Sequence, residues 1–244
     1  MARAKDIRVA PIEASDARRC IRRLHYSGRV VSNSQLHLGV FLNAKLEGAL
    51  QFGPPMVKKH IIGLVKNTPW NGMVELNRMA FSEALPRNSE SRALGIAMRL
   101  LRKRYKQLSW VLSFADGTQC GDGTIYRASG FVLTQIKKNT EISQLPDGKI
   151  VSQITYGKGK HILERRGRAG PPRGTKVLDG FQFRYIYFLD PTARDRLTVP
   201  IIPFSKIAEA GASMYLGKRS LREKQAMARP RVQRRGSADL HAPI

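Results

Sequence analysis

Acidic residues are scarce in this chain. Its 244 residues carry 18 Asp and Glu against 43 Lys and Arg, a formal net charge of +25. That imbalance lies far outside the range usual for a soluble enzyme and points to a polyanionic partner, with nucleic acid first. An anionic membrane surface is the alternative, but no apolar run approaches the ~20 residues that a spanning helix needs. Cysteine is scarcer still: Cys20 and Cys120 are too few for a disulfide framework or a cysteine zinc site. A reducing intracellular compartment is expected, with both thiols buried or inert. No secretory signal is visible either, because MARAKDIRVAPIEASDARR is charged throughout.

What is present suffices for a core. Hydrophobic residues make up 42% of the chain, and the length suits one large domain with basic extensions. We expect a domain over 1–190 that includes a basic insertion at 157–176, then a basic extension over 191–244. The insertion has seven Lys or Arg against one Glu, and Lys218 to Gly236 has eight against one. Two separate basic runs and the global charge agree on nucleic acid. Lys158, Lys160, Arg165, Arg166, Arg168 and Arg173 are the expected DNA contacts. Solvated basic segments without a specific role are the alternative.

The chain is organised around Val74 to Tyr105. Val74 to Phe81 reads as a strand, a polar turn follows, and Ala93, Ile96, Ala97, Leu100 and Leu101 recur at helical spacing. Ser89 or Ser91 is the expected cap, with Asn88 the weaker candidate. A strand feeding a polar loop into a helix N-terminus can bind an anion, and Arg87 and Arg92 add charge there. An ordinary capped helix is the competing reading. Around this unit, Ile7 to Ile12 reads as a strand, and Ser15 or Asp16 starts a helix through Arg23 that His25-Tyr26-Ser27-Gly28 closes. Leu36 to Leu42 and Lys45 to Phe52 form a hairpin about Asn43-Ala44, ended by Pro54-Pro55. Further strands are Trp110 to Ala115, the FVLTQI run, Ile150 to Tyr156 and Phe181 to Phe188, with a short helix opened by Gly121 to Gly123.

This order predicts an α/β fold with a mixed, mostly antiparallel central sheet flanked by helices. It resembles the GNAT acyltransferase architecture. The resemblance implies that Met79, Ala80 and Phe81 hold the arm of a coenzyme-A-type donor, and that Arg87, Asn88, Ser89, Ser91 and Arg92 hold its pyrophosphate. The chain departs from the GNAT loop pattern, having no glycine between Arg87 and Arg92. Four segments, HYSGR, ELNRMAF, SRALG and SFADGTQ…GTIYRASGF, are more specific. They resemble the Mom family of DNA-modification proteins of Mu-like phages. The family implies a transferase that converts adenine in double-stranded DNA to N6-carbamoylmethyladenine in the host bacterial cytoplasm and so evades restriction. A non-enzymatic DNA-binding protein with a GNAT-like core, or an acyltransferase acting on another amine, are the alternatives. Acetyl-coenzyme A alone supplies neither the CH2 joined to N6 nor the second nitrogen, so another activated donor or a further step is required.

Six residues are candidates for the catalytic centre. His25 can serve as acid or base near neutral pH, or simply favour a helix end. Tyr26 can stack on an extruded base or lie in the core. Asn77 and Arg78 sit on the central strand, where neighbours should point to opposite faces. Arg78 needs a carboxylate, phosphate or carbonyl partner. Asp116 ends the WVLSFA strand beside a glycine and either does chemistry or pairs with Arg78. Ser113 is a weaker candidate. Tyr126 falls on the short helix where GNAT enzymes often place a tyrosine near the leaving thiolate. Iron at His25, Tyr26 and Asp116 is a further option that spacing does not support. A homodimer is compatible with everything above.

Overall fold

The computed structural model describes residues 2–118, 121–152 and 171–210. Much of the basic insertion and residues 211–244 of the basic extension lie outside the described residues, with Lys158, Lys160, Arg165, Arg166, Arg168 and Cys120.

A seven-stranded sheet forms the centre. Its strands are β1 (Arg8–Pro11), β2 (Leu36–Leu42), β3 (Lys45–Gly53), β4 (Met73–Phe81), β5 (Trp110–Asp116), β6 (Val132–Lys138) and, later in the chain, β10 (Phe181–Phe188). The order is β1-β2-β3-β4-β5-β10-β6. Every pairing is antiparallel except β4 with β5. The helices are α1 (Ala14–Leu24), α2 (Lys58–Ile61), α3 (Ser89–Arg104), α4 (Thr124–Ala128) and α5 (Ser205–Glu209). The mixed, mostly antiparallel layout is the one expected.

Apolar periodicity places the layers. Ala93, Leu94, Ala97, Met98 and Leu101 of α3 bury one face against Leu50, Phe52, Leu76 and Val111. Cys20 and Ile21 of α1 pack on Ala49 and Ala80, on the opposite side of the sheet. Burial raises the Cys20 thiol above its ordinary pKa, as expected of an inert cysteine. The hairpin turns at Asn43 and Ala44, both with positive φ, the backbone that a two-residue primed turn demands.

Three features were not foreseen. A second sheet, β8-β7-β9, is built from β7 (Ile142–Gln144), β8 (Ile150–Ser152) and β9 (Lys176–Val177). The expected strand from Ile150 to Tyr156 is described only through Ser152. Packing also continues past residue 190: Ala193 and Ile207 are buried in the core clusters. Third, β4 and β5 pair only over Met73–Glu75 and Trp110–Leu112. Beyond that the two strands part, and β4 keeps only its β3 neighbour. The sheet is therefore split by a wedge that opens toward Phe81 and Asp116.

Candidate active site

The register of β4 contains an irregularity that builds the site. Phe52 pairs with Leu76 and Gln51 with Arg78, so Asn77 is an extra residue on β4. Side-chain parity switches there. Val74 and Leu76 face α3, and so do Met79 and Phe81, whereas Ala80 faces α1. A bulge re-aims side chains in this way. It corrects the expectation of opposite faces: Asn77 and Arg78, though adjacent in sequence, line one cavity of about 630 Å3. Glu75, Asp116 and Tyr26 line the same cavity, and Ile142 and Ser152 of the second sheet form part of its wall.

Glu75 was not foreseen, because a single acidic residue near the start of a strand carries no motif. Burial pushes its carboxyl up to about 7, with the Asn77 amide and the Arg78 guanidinium drawing it partly back. A carboxyl poised near neutrality in a cleft can take or give a proton there. Asn77 is itself buried and fixed, its Oδ1 accepting from Ser34 Oγ at 3.0 Å. Gly53 makes room for it, since a Cβ there would stand 2.7 Å from Asn77 Oδ1 and 2.7 Å from the Asn33 carbonyl.

Arg78 finds carbonyls. Its Nε donates to the Arg29 carbonyl at 3.1 Å and its Nη1 to the Asn77 carbonyl at 2.7 Å. The alternative ion pair between Arg78 and Asp116 is not formed among the described residues. Asp116 Oδ1 instead accepts from the Thr118 N–H at 2.9 Å and from Asn139 Nδ2 at 3.3 Å. Asn139 is a second residue that the sequence did not mark.

His25 follows the end of α1 and packs against Tyr26, with ring centroids 4.2 Å apart and the rings tilted by 31°. Its Nδ1 accepts from the Ser27 N–H at 3.1 Å and lies 2.8 Å from Ser27 Oγ. Burial first, and then Arg78, push its pKa down to about 4. His25 is therefore neutral near pH 7, which corrects its reading as a group titrating near neutrality. Tyr26 is 53% exposed at the cavity rim, not a core tyrosine. Tyr126 is the core tyrosine: it is buried between Phe131 and Tyr185, at 5.3 and 5.1 Å, and does not line the cavity. Ser113 is fully buried on β5 with no hydrogen-bond partner for its Oγ.

At the start of α3 neither serine caps the helix. Asn88 occupies the cap position in a left-handed conformation, with no side-chain cap bond. Ser91 Oγ donates to the Asn88 carbonyl at 3.2 Å, and Arg92 Nη2 reaches the Lys5 carbonyl at 3.5 Å. Ser89 is fully buried and its Oγ has no hydrogen-bond partner among the described residues. An orphaned hydroxyl at a 16-residue helix's N-terminus, beside exposed Arg87, fits an anionic group of a donor. Beyond Glu75 the β4 edge is not paired by β5, which leaves the β5-side main chain at Met79, Ala80 and Phe81 outside that pairing. Of the iron option, Tyr26 and Asp116 line the cavity and His25 adjoins Tyr26, while among the described residues no three His, Cys, Asp or Glu side chains converge. The cation of Arg78 also stands close enough to depress His25.

The family model that matches is described as the Mom protein family, over residues 6–206. The chain belongs to the Mom family. It is 38% identical to methylcarbamoylase Mom of Escherichia phage Mu over 200 residues, 81% of this chain and 82% of that one. Solved structures similar to it include a Bacillus subtilis acetyltransferase in complex with CoA, with a TM-score of 0.45 and 11% identity over 75% of this chain and 98% of that one. Another is spermidine/spermine N-acetyltransferase of Vibrio cholerae in complex with manganese ions, with a TM-score of 0.46 and 9% identity over 80% and 99%. The Mom match spans α1, the whole of the bulged strand and the wedge and ends within α5, so every cavity residue lies inside it.

Proposed function

We propose that this Mom-family chain is a transferase that converts adenine in double-stranded DNA to N6-carbamoylmethyladenine and so shields phage DNA from restriction in the host cytoplasm. The observation that carries the reading is the convergence of Glu75, Asn77, Arg78, Asp116 and Tyr26 on one cavity, in a chain 38% identical to a methylcarbamoylase. No helix of the described residues is long and apolar enough to cross a membrane.

The geometry supports the following roles. The adenine must leave the base stack, because its N6 is otherwise held in pairing. Tyr26, exposed at the rim and backed by His25, supplies a face on which the extruded base stacks. Glu75 accepts the N6 proton as the amine attacks, since its carboxyl sits near the pH of the reaction. Asn77 keeps that carboxyl in position. Asp116, held by Thr118 and Asn139, faces it across the wedge and orients the amine. Arg78, fixed by two carbonyls, presents positive charge to a carbonyl or phosphate of the donor. Met79, Ala80, Phe81, Arg87, Asn88, Ser89, Ser91 and Arg92 are the residues that would hold a coenzyme-A-type donor; acyl transfer from it to N6 would give an amide, so reaching the N6–CH2 bond of the product would require another activated donor or a further step. An acetyl group alone does not account for the product, so the unit transferred carries more than acetyl.

The DNA surface extends beyond the insertion. Arg19, Arg22 and Arg23 are exposed on α1, whose C-terminus delivers Tyr26 to the cavity with His25 beside it. Ser152, five positions before the basic insertion, lines the cavity wall, and Arg173, within the insertion, is exposed. Phosphate contacts from these groups would set the duplex over the cavity mouth. Mass spectrometry of nucleosides from DNA of cells expressing the chain tests the function directly. We expect N6-carbamoylmethyladenine in wild-type DNA. Its absence, with folded protein present, would overturn the reading.

A further inference from the structure

Two large cavities open on this protein, and one ridge separates them. The first is the Glu75 cavity. The second, about 850 Å3, is lined by Trp70, Asn71, Lys58 and Lys59 among others. Pro54 and Met56 line both. Met56 is 78% exposed, the most exposed large apolar residue among those described, and it belongs to none of the three core clusters.

We propose that the Pro54–Met56 ridge enters the duplex and holds it open, with Met56 filling the gap left by the extruded adenine. The inference rests on the DNA-modifying function proposed above and adds the part that opens the substrate. Extruding a base costs a few kcal/mol and leaves a hole in the stack. Proteins that separate base steps do so with apolar wedges, methionine and proline among them. A wedge must be stiff at its base. Pro54 and Pro55 fix two consecutive φ angles, and the Asn33 side chain donates to the Pro54 carbonyl at 3.3 Å. Asn33 also lines the Glu75 cavity, so the ridge is fastened to the wall of the site it serves.

Charge and ring chemistry behind the ridge agree with that occupant. Lys58 and Lys59 follow Met56 within three positions and both line the second cavity. Lys58 Nζ stands 4.9 Å from the centre of the Trp70 ring, and that ring is 61% exposed. An exposed aromatic face beside two ammonium groups suits a nucleotide next to the gap, stacked by its base and paired at its phosphate. An apolar protein partner does not need the lysines, and a free anion does not need Met56 or Trp70.

The test uses the full chain and duplexes carrying 2-aminopurine in place of adenine, in a pool of sequence contexts. The fluorescence of this base rises when it leaves the stack, and no donor is needed. Wild type should raise the signal. Met56→Ala should cut the rise by roughly tenfold, the order expected when part of the flipping cost is no longer offset. Its duplex affinity by anisotropy should stay within about twofold, with the same melting temperature. Met56→Leu should recover the signal. An unchanged rise in Met56→Ala, a matching loss of affinity, or no rise with wild type would each overturn the ridge assignment. Nucleoside analysis of cellular DNA reads the function separately: modified adenine there, together with any of these outcomes, leaves the function standing and removes the ridge.

Discussion

At the scale of single residues, the site depends on charges kept out of their ordinary ranges. The Glu75 carboxyl titrates about 7 in the folded chain against 4.5 for an unperturbed glutamate. Its protonated form is thus favoured by folding. The stability this gives is full below about pH 4.5 and is lost as the pH rises through about 7. Glu75→Gln removes the titration. The variant should match wild type in acid and exceed it at alkaline pH by at most about 3 kcal/mol, seen as a higher melting temperature there, while adenine modification falls by about 10²–10⁴-fold. A melting difference that does not grow with pH would show that Glu75 is not held as described. His25 carries the opposite sign. Its pKa is lowered, so its contribution is present above 6.5 and disappears as the pH falls toward about 4. Asp116→Asn keeps shape and can still accept from the Thr118 N–H. It should melt like wild type yet lose about 10²–10⁴-fold of its modification rate. A folded variant with normal nucleoside yield would remove Asp116 from the chemistry.

At the scale of elements, most strands and helices were legible because their periodicity is clean. Phe181 to Phe188 alternates aromatic residues and is β10 to the residue, and the apolar stripe of α3 is the face that packs. The bulge in β4 was not legible. Nothing in VELNRMAF distinguishes a regular strand from one with an extra residue, because the register is set by β3 and the separation from β5 rather than by local preference. Arg78 was marked correctly as costly, yet its carbonyl partner comes from Arg29, 49 positions away. Glu75 and Asn139 were missed for the same reason: their surroundings are assembled by tertiary contacts. The second sheet was missed because β7 and β9 have only three and two residues, too short to show a period. The α3 start offers a test at this scale. Ser91→Asp adds negative charge at a site proposed to receive an anionic donor. Modification should fall by at least about tenfold while duplex affinity stays within about twofold, and the exposed helix start should tolerate the change, since acidic residues favour that position. Joint loss of modification and DNA affinity would assign the loop to the DNA surface instead.

At the scale of the whole molecule, the formal charge of +25 governs how DNA is met. Each phosphate contact releases condensed counterions, so affinity falls steeply with salt. Replacing Arg165, Arg166 and Arg168 together by glutamine should weaken binding and lower the slope of log affinity against log salt by up to about 3 units, close to 0.9 for each contact. An unchanged slope would place those arginines away from the phosphates.

The split between β4 and β5 has a consequence for how individual amides meet solvent. From Leu76 to Phe81, β4 pairs with β3 and not with β5. Strand geometry points successive N–H groups to alternate edges, apart from the offset at Asn77. In deuterated water, every second amide of this segment should exchange fast while its neighbours stay protected, a two-residue beat along a strand in the middle of a sheet. A small molecule that pairs with that edge should silence the fast set and leave the slow set as it was. Residue-resolved exchange, read with and without coenzyme A, would turn the wedge into a direct assay for whichever donor it accepts.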